Sequence, residues 1–254
     1  MNHFRNLHHS NGLLLLPNAW NVKSALIFEE EKFPAVGTSS AAVAASLGYD
    51  DGEKIPFTDY FFMLSRIRTS VNIPLSADVE MGYGISNDAI ADNILRLADI
   101  GVAGINIEDS LIGSSGRTLK NAGIFAKTVS HIKNRLASRN ADIFINVRSD
   151  IYLLDVHNKQ QELEERLPLY EAAGADGIFL PCIAAEKDIA AAAGITKLPL
   201  NVMCIPGLPD FDTLHQLGVK RISMGPFLYN KVYENVAQLT SAIMANRNFS
   251  AILS

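Results

Sequence analysis

Cysteine is almost absent from this 254-residue chain, which has only Cys182 and Cys204. Two thiols are too few for a disulfide framework, so a reducing, cytoplasmic setting is expected. Tryptophan occurs once and aromatic residues make up only 8%. The 22 basic residues are outnumbered by 27 acidic ones, giving a formal net charge of −5, and they are scattered rather than interleaved with aromatics. No nucleic-acid surface is expected from such a pattern. Apolar runs are short, and none approaches the roughly 20 residues of a membrane span. The N-terminal stretch, with His8-His9-Ser10-Asn11, also lacks a secretory leader pattern.

The chain is rich in apolar residues, 48% against 19% charged, enough to bury a large core. No clear linker divides it, so residues 1–254 read as a single domain. Short β-branched runs alternate with longer stretches of helical period, the pattern of βα units around a parallel sheet. Strands are predicted at Leu13–Leu16, Ala35–Thr38, Pro74–Asp78, Gly104–Glu108, Ile143–Arg148, Gly177–Leu180, Leu200–Met203 and Arg221–Met224. Helical periodicity fills Tyr60–Thr69, Asn87–Ile100, Phe125–Ser138 and Gln161–Ala173. Three joints share one phrase: Asp99-Ile100-Gly101-Val102, Ala173-Gly174-Ala175-Asp176, and Gln216-Leu217-Gly218-Val219. Each sets glycine just past a helix, where a left-handed residue closes the last turn. Eight strands with repeated joints in a chain of this length fit an α/β fold of the (β/α)8 TIM-type barrel. A doubly wound sheet would want a glycine fingerprint after the first strand, and Pro17-Asn18-Ala19-Trp20-Asn21 is not one.

In such a barrel the reactive groups lie at the carboxyl ends of the strands. The residues selected are Thr38-Ser39-Ser40, Asp78 with Glu80, Glu108 with Asp109, Arg148 with Asp150, and Asn201. Asp78 and Glu80 stand one residue apart where a strand gives way to Gly82-Tyr83-Gly84, so both can reach one ligand. Buried strands that keep ending in charge read as a catalytic rim rather than a stabilising surface.

At these residues the chain resembles the isocitrate lyase/phosphoenolpyruvate mutase superfamily, on its mutase-like side. Leu47-Gly48-Tyr49-Asp50-Asp51-Gly52 is similar to the second-strand loop of that superfamily, and Asp78-Val79-Glu80-Met81-Gly82-Tyr83-Gly84 to its Asp-x-Asp/Glu-x-Gly-Tyr/Phe-Gly motif. Asn106-Ile107-Glu108-Asp109 and Val147-Arg148-Ser149-Asp150 resemble its Ile-Glu-Asp and Ala-Arg-Thr-Asp motifs. The resemblance implies the barrel, an Mg2+ cofactor, and formation or cleavage of a C–C or P–C bond beside a 2-oxo acid through a pyruvate-type enolate. It also implies a homodimer or homotetramer, with the last helix exchanged between subunits.

By that resemblance Asp78 is the direct metal ligand, while Glu80, Glu108 and Asp51 act mostly through metal-bound water, as Mg2+ keeps several waters. Asp51, Glu108 and Arg148 form the expected catalytic set. Arg148 would fork onto the substrate carboxylate, or else be a buried salt-bridge partner of Asp150 or Glu108. Ser39 and Ser40 occupy the carboxylate-binding position. Asn201 either meets the distal end of a 2-oxo acid or phosphonate substrate or serves a plain turn. Trp20 either walls the site or packs in the core.

The segment after Glu108, Ser110-Leu111-Ile112-Gly113-Ser114-Ser115-Gly116-Arg117-Thr118-Leu119-Lys120, separates activities. Isocitrate and methylisocitrate lyases carry a Lys-Lys-Cys-Gly-His loop there; this one has neither Cys nor His, so a standard isocitrate lyase is not expected. Gly113 and Gly116 could hinge it, and Arg117 could face an anion. A catalytically idle small-carboxylate-binding protein is the competing reading. A Schiff-base aldolase would need lysine at a predicted strand end, and none is there.

Overall fold

The first predicted strand ends at Leu16, and the chain resumes pairing just past Pro17, which helps the sheet come close to closing on itself. The computed structural model describes residues 3–114 and 116–253. Its strands are β1 (Leu14–Leu16), β2 (Asn18–Ala19), β3 (Val36–Thr38), β4 (Leu75–Asp78), β5 (Gly104–Glu108), β6 (Ser110–Gly113), β7 (Gly116–Leu119), β8 (Phe144–Arg148), β9 (Gly177–Phe179), β10 (Leu200–Met203) and β11 (Val219–Ser223). Nine of these lie in one parallel sheet, in the order β1-β11-β10-β9-β8-β5-β4-β3-β2, and β6 pairs with β7 as a separate antiparallel hairpin. The two ends of the large sheet are therefore the two halves of one strand. Leu14–Leu16 bonds to β11, then Asn18–Ala19 bonds to β3. Proline has no N–H for a ladder, but the Pro17 carbonyl still accepts from Gly37 N at 2.8 Å. The eight predicted strands correspond to the staves of a nearly closed TIM-type barrel. The eighth starts earlier than expected, at Val219 rather than Arg221.

The helices are α1 (His3–His8), α2 (Val22–Glu30), α3 (Ser40–Ser46), α4 (Phe57–Ser70), α5 (Asn87–Asp99), α6 (Ala122–Ser138), α7 (Lys159–Ala172), α8 (Glu186–Ile195), α9 (Phe211–Gln216), α10 (Phe227–Asn246) and α11 (Ser250–Leu253). The three recurring joints behave as expected, with Gly101, Gly174 and Gly218 at φ of 82°, 95° and 90°. Among the described residues no helix is long and apolar enough to cross a membrane.

Period-two alternation sorts each strand into an outer and an inner face. Outward, Leu75, Ala77, Ile105, Ile107, Ile145, Val147, Ile178, Leu200 and Val202 join the helices in the main apolar core. The inner residues form layers. At the bottom Phe4 of α1 packs with Leu14, Leu16, Ala35 and Phe144 as an apolar plug. Above it lies a polar layer in which Asn106 Oδ1 accepts from Asn146 Nδ2 (2.8 Å) and Arg221 Nη2 (2.9 Å), and Asn201 Nδ2 donates to Asn146 Oδ1 (2.5 Å). Gly177 makes that layer possible: a Cβ there would sit 2.8 Å from Asn146 Oδ1 and 3.1 Å from Asn201 Nδ2. The top layer, with Asp78, Arg148, Phe179, Met203 and Ser223, opens into a cavity.

The plug is held by α1. Arg5 bridges Asp142 and Asp176, and the buried His8 ring stacks on Phe144 with centroids 4.1 Å apart. His8 Nδ1 faces Phe4 O at 3.0 Å, and burial, with Arg221 nearby, pushes its pKa down to about 3. Below about pH 6.5 the unfolded chain binds a proton at His8 that the folded chain refuses, so stability falls as pH drops toward about 3. Thermal melts should show this acid-side fall, with a slope of up to about 1.4 kcal/mol per pH unit from this one group. His8→Phe should flatten it; an unchanged slope would show that His8 titrates normally.

Candidate active site

Asp78 ends β4, where the alternation turns its side chain inward at the open mouth. Its Oδ2 accepts from Ser40 Oγ at 2.7 Å, and its backbone is fixed from behind by Thr38 Oγ1 on its N–H (3.1 Å) and Tyr60 OH on its carbonyl (2.7 Å). Its other oxygen, Oδ1, is buried and has no hydrogen-bond donor. Burial raises the Asp78 pKa, with Arg148 and the Ser40 bond opposing the rise. An ionised carboxylate oxygen buried without a donor is costly unless something positive meets it.

Glu80 turns the other way. The residue takes a left-handed backbone, φ 47°, and its carboxylate accepts from Tyr83 OH (2.8 Å) and Glu53 N (2.9 Å). Burial first, then the neighbouring Asp51, push its pKa up to about 8. It sits beside the cavity without lining it.

Glu108, at the end of β5, is buried between two arginines. Arg117 Nη1 donates to its Oε1, and Arg148 Nη1 lies 3.0 Å from its Oε2 as an ion pair without hydrogen-bond alignment. Asp150 bridges the same pair, through Oδ1 to Arg148 Nε (2.6 Å) and Oδ2 to Arg117 Nη1 (3.2 Å). Ser110 Oγ adds a third bond to Asp150 at 2.5 Å. Burial raises the Glu108 pKa against the pull of Arg148. Burial opposes charge on Arg148, but Glu108, Asp150 and Asp78 outweigh it and the net shift is upward. The salt-bridge and ligand-binding expectations for Arg148 are thus compatible: it is paired, and it also lines the cavity.

The cavity measures about 380 Å³ and is lined by residues from around the barrel mouth, among them Asn18, Ser39, Ser40, Asp51, Asp78, Asn106, Arg117 and Arg148. Ser39 caps α3 by accepting from Ala42 N at 3.3 Å, which leaves its hydroxyl proton for another acceptor. Of the expected site residues, Ser39, Ser40, Asp51, Asp78 and Arg148 come together here, with Glu80 and Glu108 immediately behind. Two do not. Asn201 lies one layer lower, fully buried, because it precedes the cavity-lining Met203 by one inward step. Trp20 packs edge-on against Tyr229 of α10, on the outer side of the barrel wall, so it does not wall this cavity.

Asn106 and Asn18 were not singled out, though both stand at inward positions that strand alternation could have marked. Arg221 can only donate, so it fixes Asn106 with its carbonyl downward. The Asn106 amide nitrogen is then the group left toward the cavity. Asn18 Oδ1 accepts from Met224 N and Gly225 N at 2.8 and 2.9 Å, tying the first stave to the loop after β11.

A family model described as phosphoenolpyruvate phosphomutase matches residues 4–244. The chain belongs to the phosphoenolpyruvate phosphomutase family. It therefore falls in the superfamily that its motifs resemble. It is similar to an uncharacterized protein of Mycobacterium tuberculosis (strain ATCC 25618 / H37Rv), at 36% identity over 89% of this chain and 83% of that one. It is 31% identical to oxaloacetate decarboxylase of Ectopseudomonas mendocina (strain ymp), over 76% of this chain and 67% of the decarboxylase. A crystal structure from Burkholderia cenocepacia J2315, provisionally named a phosphonomutase, matches with a TM-score of 0.88 at 31% identity, covering 94% of this chain and 96% of the other.

Within this phosphomutase-family barrel Asp109 has a separate, structural part. It points away from the cavity and accepts from Ser149 Oγ (2.6 Å), Asp150 N (3.0 Å), Tyr170 OH (2.7 Å) and Arg166 Nη1 (3.2 Å). Asp109→Ala removes the buried acceptor shared by Ser149 Oγ, Tyr170 OH and Arg166 Nη1, although Glu162 still pairs with Arg166 Nε at 2.6 Å, and urea unfolding should show a loss of about 3–5 kcal/mol. A loss below about 1 kcal/mol, the range of an exposed ion pair, would contradict this role.

Proposed function

We propose that this protein is a Mg2+-dependent enzyme that cleaves or forms a C–C bond beside a 2-oxo acid, through a pyruvate-type enolate. The observation that carries the reading is the donorless, buried Asp78 Oδ1 beside the Arg148 guanidinium in one cavity. Among the described residues no three His, Cys, Asp or Glu side chains are grouped tightly enough to hold an ion alone. A magnesium ion that keeps most of its waters needs no such group, so the residues fit it: Asp78 directly, with Asp51, Glu80 and Glu108 within reach of its waters. When bound, the ion would supply Lewis-acid stabilisation for the negative oxygen of the enolate.

The chain's own residues do the rest. Arg148 binds the carboxylate next to the keto group with the donors its acidic partners leave free. Ser39 offers a hydroxyl proton to the same carboxylate, while Ser40 keeps Asp78 in place. In a decarboxylation, the bond from carbon 3 to the departing carboxylate breaks and its electron pair passes into the enolate. A proton then returns to carbon 3. C–C chemistry is favoured over P–C chemistry because among the described residues no lysine lines the cavity, so there is no cluster of Lys and Arg to hold a phosphoryl group beside the carboxylate that Arg148 takes.

Pyruvate release from oxaloacetate, phosphonopyruvate and 2-methylisocitrate, with and without Mg2+, tests the activity. Asp78→Asn should lower Mg2+-dependent turnover by about a hundredfold or more with little change in melting temperature. Unchanged turnover would remove Asp78 from the site. Tight oxalate binding with no turnover on any substrate would favour the idle binding protein.

We also infer a homo-oligomer. None of the residues of α10 is buried, and Leu228, Val232 and Tyr233 border an apolar groove of about 420 Å³ with Trp20, Ile27 and Phe28. An apolar surface of this kind is covered in most soluble proteins, and a second copy, with or without exchange of this helix, is the occupant that the family resemblance implies. Val232→Glu should shift sedimentation toward monomer; a wild-type monomer would end the idea.

A further inference from the structure

Asn106 and Asp78 stand opposite each other in register on the neighbouring strands β5 and β4, and both line the cavity. Each carries one polar atom that the protein leaves unmatched. Asp78 Oδ1 is a buried acceptor without a donor. Asn106 Nδ2 donates to no described residue, and the bonds of this side chain all end on its oxygen. The two unmatched atoms do not bond to each other, although an amide N–H and a carboxylate oxygen are natural partners.

Asn106 cannot relieve this by turning its amide over. Its Oδ1 accepts from Arg221 Nη2 at 2.9 Å and from Asn146 Nδ2 at 2.8 Å, and an arginine has no acceptor to offer a reversed amide. Asn146 is fixed in turn, because its own Oδ1 accepts from Asn201 Nδ2 at 2.5 Å. The Asn106 N–H is therefore a neutral donor locked at the cavity floor, on a residue 7% exposed. One inward step above it lies the ring in which Glu108 and Asp150 alternate with Arg117 and Arg148. Nearby polar groups are already committed: Ser40 Oγ donates to Asp78 and Asn18 Nδ2 to the Thr38 carbonyl.

An unmatched acceptor beside an unmatched donor is filled by a cation and an oxygen together. The cation meets Asp78 Oδ1, and an oxygen drawn to that cation meets the Asn106 N–H. We propose that Asn106 is a catalytic residue whose Nδ2–H donates to the keto oxygen of the substrate and stays on it as the enolate forms. The inference rests on the functional reading above and adds a protein donor to the stabilisation of that oxygen. When the bond to the departing group breaks, its electron pair enters the enolate and the oxygen gains charge. No proton leaves Asn106; its hydrogen bond to that oxygen strengthens.

Calorimetric titration of the full chain, first with Mg2+ alone and then with oxalate, tests this, because a charged oxalate oxygen stands in for the enolate oxygen. Asn106→Leu should leave Mg2+ affinity within about twofold and weaken oxalate by about twentyfold. Asn106→Asp keeps the acceptor for Arg221 and turns an anionic oxygen toward the cavity. Oxalate should then weaken by more than about a hundredfold while Mg2+ binds at least as tightly. On any 2-oxo acid that the wild type turns over, the Leu variant should lose more in kcat than it gains in KM, since the bond strengthens as charge develops. If the Leu variant fails to fold, the Asp variant decides by the same comparison of oxalate with metal. Equal losses of Mg2+ and oxalate would make Asn106 a support for Asp78 alone and overturn the proposal. Unchanged oxalate affinity in the variants would overturn it too, and would leave the functional reading standing. A wild type that binds no oxalate in the presence of Mg2+ removes that reading and this inference with it.

Discussion

Glu108 is a carboxylate with no access to water, and the mouth of the barrel is organised around that fact. Taking one charge out of water costs several kcal/mol unless opposite charge and hydrogen bonds replace the solvent. Two arginines do so, from opposite directions: Arg148 along the neighbouring strand and Arg117 from the hairpin. Each guanidinium then needs more than half of one carboxylate, and Asp150 completes the count. Because each member balances its neighbours, none can be altered alone without leaving a buried charge exposed to nothing. The ring holds Arg148 beside Asp78 before any ligand arrives, so a ligand need not order that arginine on binding.

Below the ring the barrel departs from the branched aliphatic filling common in such folds. Asn106, Asn146, Asn201 and Arg221 occupy the middle layer, and Arg221 has no carboxylate partner among the described residues. Burial pushes its pKa down to about 9, still high enough to keep it charged at neutral pH. A positive charge lying beneath Asp78 acts in the same sense as Arg148 beside it, favouring anionic groups at the mouth. It also supplies only donors to Asn106, which decides how that amide faces upward. The cost of a partly unpaired arginine in the interior is thus tied to the orientation of a cavity residue.

Much of this was legible in the sequence because strand alternation is strict. Asp78, Arg148 and Glu108 end strands whose other residues are plainly apolar on alternate positions, and the ordered motifs mark them. The barrel itself followed from the three glycine joints. What failed to show was depth and direction. Asn201 has the same inward parity as Met203, and sequence alone does not say which of two inward steps reaches the mouth. Glu80 lies beyond the strand, where its left-handed backbone breaks the parity rule and sends the carboxylate to Tyr83 and Glu53. Which of the two readings of Trp20 holds, cavity wall or core, stays hidden in the sequence because the element that packs on it, α10, begins more than 200 positions later in the chain. Pro17 could be read as a strand break, but not that the two halves join opposite ends of the sheet.

The layers assign different parts of the chemistry to different parts of the chain. The apolar plug and the polar layer are built from strands that neighbour one another throughout the sheet, so their side chains cannot change without disturbing the ladder or the packing of Gly177. Asp78, Glu108 and Arg148 stand on the rigid ends of those same strands, which suits groups that must hold a reacting centre in one geometry. The hairpin is different. It makes its own two-stranded ladder apart from the barrel sheet, and its tip residues Ser114 and Gly113 are exposed. Its exposed tip takes no part in the barrel ladder, while its one inward arginine and Ser110 are coupled directly to the acidic groups of the mouth. A scaffold arranged this way holds Asp78, Glu108 and Arg148 on rigid strand ends and brings Arg117 to them from a separate ladder.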